Sequence, residues 1–324
     1  MLSFFRTPQP ATILALIVLF VVCKIPFLLH GNFYPLAAMH TWWGDAGLLL
    51  TNNWGINFFI AQLCLLTQAF WFNYLFQRAD YHEGNSMIPA VYFIFLSSLF
   101  PVFNQLSIYT IAGFILLAVF HLLLRITVRD SVKQECFNIG ITGGILLLLD
   151  IHFIFFTIGL FFMLYALKPF RFHEYLLLLF GLLFPLYMAA GISYLLDISI
   201  TTKAFSISHF GIIQFSRNTL DAAAGILLAA YLLFAFISLR GILYSTGFKR
   251  RKNLNMLIFF FISITVTIVT EEEGNTVLLQ HLFIPLSVFL ALLMLRIRKK
   301  KIGEILNVIF VTAILTINII RLIF

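Results

Sequence analysis

CFNIGITGGILLLLDIHFIFFTIGLFFMLYAL, residues 136–167, decides the fold class. Two apolar runs, Cys136 to Leu149 and Ile151 to Leu167, are parted only by Asp150. A strand of a membrane β-barrel needs about ten residues that alternate apolar and polar. A helix at a water surface carries a polar stripe. These runs do neither, and runs like them recur along the chain. The 324 residues are 61% hydrophobic and 10% charged, with a mean hydropathy of +1.01, against about 45–50% and 25% in soluble domains. A soluble globule of this size cannot hide so much apolar surface. The expected fold is all-α, a polytopic transmembrane helical bundle.

A membrane-spanning helix takes about 20 apolar residues. Segments of this kind run from Pro10 to His30, Gly55 to Phe76, Met87 to Phe103, Ser107 to Leu124, Cys136 to Leu149, Ile151 to Leu167, Tyr175 to Leu196, Asp221 to Tyr244, Leu254 to Thr270, Thr276 to Leu295 and Ile305 to Ile320. They make about eleven segments in one integral membrane domain, residues 1–324. The first is read as an uncleaved helix, because Lys24 and Pro26 interrupt it and no A-x-A-like site follows. The arm from Cys136 to Leu149 is about 21 Å long at 1.5 Å per residue, short for a membrane core. Either this hairpin turns near the outer leaflet, or the pair 136–167 is re-entrant with Asp150 at depth. Gly140, Gly143 and Gly144 suit close helix packing there.

The charge distribution orients the bundle. With the N-terminus inside and strict alternation, 16 Lys and Arg residues fall on the cytoplasmic side and four (Lys24, Lys203, Arg217, Arg321) on or near the other, with Arg240 within the eighth segment. The positive-inside rule therefore gives N-in, C-out in the cell inner (cytoplasmic) membrane. It also accounts for the net charge of +8 without nucleic acid as a partner. Cys23, Cys64 and Cys136 form no C-x-x-C pair and read as small hydrophobes.

Two external loops, 31–54 and 198–220, are long where most others are short, and loops of that kind carry function. The first holds His40 and Asp45 beside Trp42 and Trp43. Asp45 reads as a general base for a hydroxyl acceptor or as a metal ligand, or alternatively as the cap of an interfacial helix. The second holds Lys203 and Arg217, cations that could clamp a phosphate or face lipid headgroups. Lys24, near the outer end of the first segment, can snorkel outward or meet an anionic head. Glu271, Glu272 and Glu273 form an acidic triplet that could hold a divalent cation with Asp45 or simply sit in solvent. Asp150 and His152 at the short hairpin are either ionisable groups at membrane depth, a polar-cavity or metal hypothesis by default, or exposed at the outer surface; His281, one turn into the tenth segment, joins that hypothesis or reads as a polar interhelical contact. His121, Gln68, Asn73 and Asn318 are expected as interhelical hydrogen-bond partners, and Asp221 as a helix cap. P-loop, dinucleotide-binding, zinc-protease and nucleophile-elbow motifs are absent from the sequence.

Two resemblances follow from particular residues. The stretch from Glu135 to Asp197, with MLSFF at the start and SSLFP at Ser97 to Pro101, resembles an uncharacterised family of Bacteroidetes multi-pass inner-membrane proteins, which implies no activity. Asp45 in the first outer loop, the paired short segments Cys136 to Leu167 and the turn Lys168-Pro169-Phe170-Arg171-Phe172-His173-Glu174 are similar in layout to GT-C type, polyprenyl-phosphate-dependent glycosyltransferases. That resemblance implies Asp45 as the catalytic carboxylate and Arg217 as a phosphate ligand. The leading expectation is thus a glycosyltransferase-like protein. It would move a sugar from a polyprenyl-phosphate donor to an envelope or lipid-linked acceptor at the outer membrane face, with Asp45 as base and Lys24, His40, Lys203 and Arg217 around the donor. The alternatives are a non-catalytic scaffold or accessory subunit with membrane-protein partners, and a transporter or flippase of lipid-linked intermediates.

Overall fold

The computed structural model describes residues 4–6, 9–30, 53–82, 84–127, 132–197, 219–245, 247–270, 276–297 and 300–323. Among these are eleven α-helices: α1 Pro10–His30, α2 Trp54–Arg78, α3 Ile88–Ser97, α4 Ile108–Ile126, α5 Lys133–Leu149, α6 Ile154–Leu167, α7 Phe172–Leu195, α8 Thr219–Ser245, α9 Phe248–Val269, α10 Phe283–Arg296 and α11 Lys300–Ile323. No strand occurs among the described residues. Seven helices are long and apolar enough to cross a membrane: α1, α2, α4, α7, α9, α10 with the turn before it, and α11. Over the described residues the protein is an all-helical bundle with seven candidate membrane spans.

Of the eleven expected membrane segments, those that hold α3, α5, α6 and α8 are not among these seven by the length and hydropathy of their described residues, and two segments also differ in conformation. The segment from Met87 to Phe103 is not one helix. Its helix, α3, stops at Ser97, and a 3-10 turn Pro101–Asn104 follows. Two local causes combine. Ser97 and Ser98 turn their hydroxyls back onto the Ile94 carbonyl, at 2.8 and 2.9 Å, competing with the helical ladder. Phe100, preceding Pro101, is held extended at φ −119°, ψ 138°, as a residue before proline prefers. The tenth segment likewise begins as a 3-10 turn, Thr276–Leu282, and becomes α-helical only at Phe283.

Polar contacts define the two ends of the bundle. At the basic end, Arg125 pairs with Glu135 at 3.6 Å and Arg250 with Asp80 at 3.5 Å. Asn253 donates to the Ala79 carbonyl at 2.9 Å, and Arg78 meets His121 at 3.2 Å. The opposite end, here the apex end, collects the turns Pro101–Asn104, Ile151–Phe153 and Thr276–Leu282, each at the far end of a hairpin.

The short helix α3 is buried along its whole length, and α10 is buried from Phe283 to Met294. These two pack together at the centre, with Phe283 edge-on to both Phe93 and Phe103 at ring separations of 6.2 and 4.9 Å. Around them stand α1, α2, α4, α8, α9 and α11. Outside, α5 is joined to α7 along a seam of small residues. A Cβ on Gly140 would strike the Leu178 carbonyl, one on Gly181 the Phe137 carbonyl, and one on Gly144 would lie 2.5 Å from the Leu182 carbonyl. The backbones therefore touch, as small residues allow between membrane helices. Likewise α6 meets α9 where Gly159 faces the Ser263 hydroxyl.

Alanine is ordinarily about 1 kcal/mol better than glycine inside a helix. At Gly181 the sign reverses, because the added methyl has no space. Gly181→Ala is expected to destabilise the purified protein by about 1–3 kcal/mol, the usual cost of overpacking. Gly191→Ala, on the same helix with open space around its Cβ, should be neutral or stabilising. Thermal unfolding midpoints of the two variants in one detergent check the pair.

Candidate functional site

Breaking α3 in mid-bundle leaves its last carbonyls without helical partners. In a lipid-like surrounding each must be satisfied from within the protein. Three consecutive carbonyls are, and by three different side chains. Lys24 of α1 donates to the Ser97 carbonyl at 2.8 Å, and also to the Ser97 hydroxyl at 3.2 Å and to Asn104 Oδ1 at 2.7 Å. Asn318 of α11 donates to the Ser98 carbonyl at 3.0 Å, and Arg321 to the Leu99 carbonyl at 2.6 Å. Both cations also lie where the negative end of the α3 dipole favours them. Arg321 is in turn paired with Asp221 of α8 at 2.5 Å, so Asp221, expected as a cap, ties α8 to α11.

The same turn is held from α2. Asn57 Oδ1 accepts from the Leu106 N–H at 2.7 Å, Gln62 Nε2 donates to the Asn104 carbonyl at 3.2 Å, and Gln68 Nε2 donates to the Thr110 carbonyl at 2.7 Å. Ser107 and Thr110 close the start of α4 with a reciprocal capping box.

A second polar group abuts this one. Tyr109 donates its hydroxyl to Asp150 Oδ2 at 2.8 Å. The other carboxylate oxygen meets His152 twice, accepting from its backbone N–H at 2.9 Å and lying 2.8 Å from ring Nδ1. Asp150 is 1% exposed, so its carboxylate is held inside the protein at the turn between α5 and α6. The His281 ring stands 5.9 Å from that of Tyr109 and 5.4 Å from that of Phe153. His281 and its neighbour Gln280 are buried, and all four of their side-chain nitrogen and oxygen atoms lack a hydrogen bond. Leaving such atoms bare costs about 1–3 kcal/mol for each group.

Of the residues singled out in the sequence, Lys24, Asp150, His152 and His281 come together at the apex end. Lys24 does not snorkel outward. Its three N–H groups all go to protein acceptors, which leaves none for a phosphate oxygen. Asp150, His152 and His281 gather as a polar cluster, but no group of three or more His, Cys, Asp or Glu among the described residues could hold a metal ion. Asp45, His40, Lys203, Arg217, Glu271, Glu272 and Glu273 lie outside the described residues. Gln68, Asn73, His121 and Asn318 do bond between segments. Asn57, Gln62, Asn104 and Tyr109 were missed. Their signal was polarity inside or beside apolar runs, above all Asn104-Gln105 two residues past Pro101-Val102.

Below the apex end aromatic rings pack the space between α2, α4, α6 and α9. Phe72, Phe120, Phe156 and Phe260 are all fully buried. Phe260 stacks edge-on against Phe156 at 5.2 Å and Phe120 at 5.8 Å.

Comparison with family models, with curated proteins and with solved structures finds no match in any of the three.

Hydrogen bonds to a charged donor are worth about 1.5–3 kcal/mol each. Lys24→Met, which keeps the stem and removes the ammonium, is therefore expected to cost about 2–4 kcal/mol. Asn104→Ala should cost less. In a double-mutant cycle the two should be strongly non-additive, since each removes the same contact. Unfolding midpoints of the three variants against wild type measure this, and additivity would refute the shared contact.

Proposed function

We propose that this is a protein of the cytoplasmic membrane with about eleven membrane segments, N-in and C-out, its apex end facing outward, and that it transfers a sugar from a polyprenyl-phosphate carrier to an envelope or lipid-linked acceptor there. One observation carries the reading: buried polar side chains with unused hydrogen-bonding capacity, Gln280 and His281, sit beside the Asp150 pair at one end of the bundle, above the buried rings of Phe120, Phe156 and Phe260. The rings of Phe120, Phe156 and Phe260 pack against one another between α4, α6 and α9, which favours a site at one face over a path between those helices. A site at one face suits an enzyme that meets its substrate from the bilayer and its acceptor from outside. The orientation rests on the basic end, because cations collect on the cytoplasmic side.

In this reading the two long external segments, 31–54 and 198–220, bring the reactive groups. Asp45 takes the proton of the acceptor hydroxyl. The acceptor oxygen attacks the anomeric carbon, the bond from that carbon to the carrier phosphate breaks, and the phosphate leaves with the electron pair. Arg217 and Lys203 hold that phosphate, and His40 lies in the same segment as the base. Gln280 and His281, each able to donate and accept when the imidazole is neutral, suit sugar hydroxyls. Lys24 is not among the phosphate ligands, since its donors are committed to the α3 turn.

The test is complementation in the native host with lipid-linked and surface glycans profiled by mass spectrometry. Wild type should restore a sugar lost on deletion. Asp45→Asn, at equal membrane level, should fail and accumulate the carrier-linked precursor. Full restoration by Asp45→Asn would remove the catalytic proposal and favour the scaffold.

A further inference from the structure

Between α1 and α2 lies a groove of about 310 Å³, walled by Phe20, Val21 and Leu28 on one side and by Phe58, Phe59 and Leu63 on the other. Its origin is visible in the contacts. Each helix is pinned to the α3–α4 turn, α1 through Lys24 and α2 through Asn57, Gln62 and Gln68, and the two touch each other little. A wedge is left between them. Lys24 and Gln62 reach its floor, yet the wall exposes no polar atom. Only their methylene stems face the groove, while the ammonium and the amide turn away into the turn. The outer rim is exposed, with Leu63 and Phe59 at 56% and 68%.

The geometry points to this groove as the seat of the hydrocarbon chain of the lipid-linked substrate, an inference that rests on the function proposed above. Two features favour a single chain. The wall is wholly apolar, so only hydrocarbon enters without loss. The volume lies at the lower end of the ~300–1,000 Å³ of small-ligand sites. Both walls belong to helices long and apolar enough to span a membrane, so the groove opens where bilayer hydrocarbon lies. An unfilled wedge forfeits dispersion contacts along its lining. The position also has chemical sense. The segment that joins the two walls in the chain, residues 31–53, carries His40 and Asp45. A lipid whose chain lies between α1 and α2 presents its head group at the ends of the helices that this segment connects.

The experiment uses the full chain in phospholipid nanodiscs and a polyprenyl phosphate bearing a photoreactive diazirine on its isoprenoid chain, with crosslinked peptides mapped by mass spectrometry. The expected crosslinks fall on α1 and α2 around Val21 and Leu63, and unlabelled polyprenyl phosphate competes them away. Leu63→Trp and Val21→Trp, which fill the groove, should each reduce labelling about tenfold. Tyr187→Trp, on the exposed face of α7, should leave it unchanged. Unfolding midpoints equal to wild type confirm that the fillers fold, and either filler that folds is sufficient. A photoreactive phospholipid run in parallel separates the sources. Equal groove labelling by phospholipid, or labelling unaffected by both fillers, overturns the proposal. If groove labelling is specific but Asp45→Asn restores the glycan, the transferase reading fails and the groove stands. If Asp45→Asn fails to restore it and the groove is not labelled, the groove fails alone.

Discussion

The Ser97–Ser98–Leu99 carbonyls set the terms for the rest of the bundle. A helix that stops inside a membrane protein exposes acceptors that neither water nor its own backbone can satisfy. This chain meets that demand from three directions, with Lys24, Asn318 and Arg321. The consequence reaches far. It places α1 and α11 against the centre and fixes α8 to α11 through Asp221. It also holds the Asn104 turn where α2 can grip it, and opens a wedge between α1 and α2. Cation and broken helix are mutually required: the ammonium is tolerable at depth because the carbonyls are there, and the carbonyls because the ammonium is.

Much of the architecture was legible in the sequence, because apolar run length is a direct physical readout of the helix that fills it. Among the described residues a helix lies in each apolar run, though only seven of these helices are long and apolar enough to cross a membrane. The glycines of the 136–167 pair announced close packing, and Gly143 does face Leu160 and Thr157 within the pair, whereas Gly140 and Gly144 face α7. What the runs concealed were the breaks. Met87 to Phe103 carries no charge and is long enough to read as one span. The signal that divides it, two serines and a proline, is local backbone chemistry, which hydropathy does not register. The same holds for the 3-10 turn before α10. There a polar Gln280-His281 step was visible, but its conformation was not.

The candidate site was legible only in part, for a related reason. Lys24, Asp150, His152 and His281 could be picked out because charge and imidazole are rare in apolar runs. Their partners could not. Tyr109 reaches Asp150 across 41 residues, and Lys24 reaches Asn104 across 80. Such pairings depend on which helices neighbour one another, and a single sequence states that nowhere. Lys24 is the instructive case. As a lone cation near a helix end it reads as an outward, lipid-seeking group, and only the neighbouring broken helix turns it inward.

The clamp on α3 also imposes an order on synthesis. Lys24 precedes the carbonyl it satisfies, so Ser97 finds its partner as soon as the first three helices are made. Leu99 does not, for its partner Arg321 comes off the ribosome 222 residues later. Until then the central helix ends in an acceptor that the nascent bundle cannot quench. The interval between those two moments is when the growing chain depends most on whatever else in the membrane can lend it a donor.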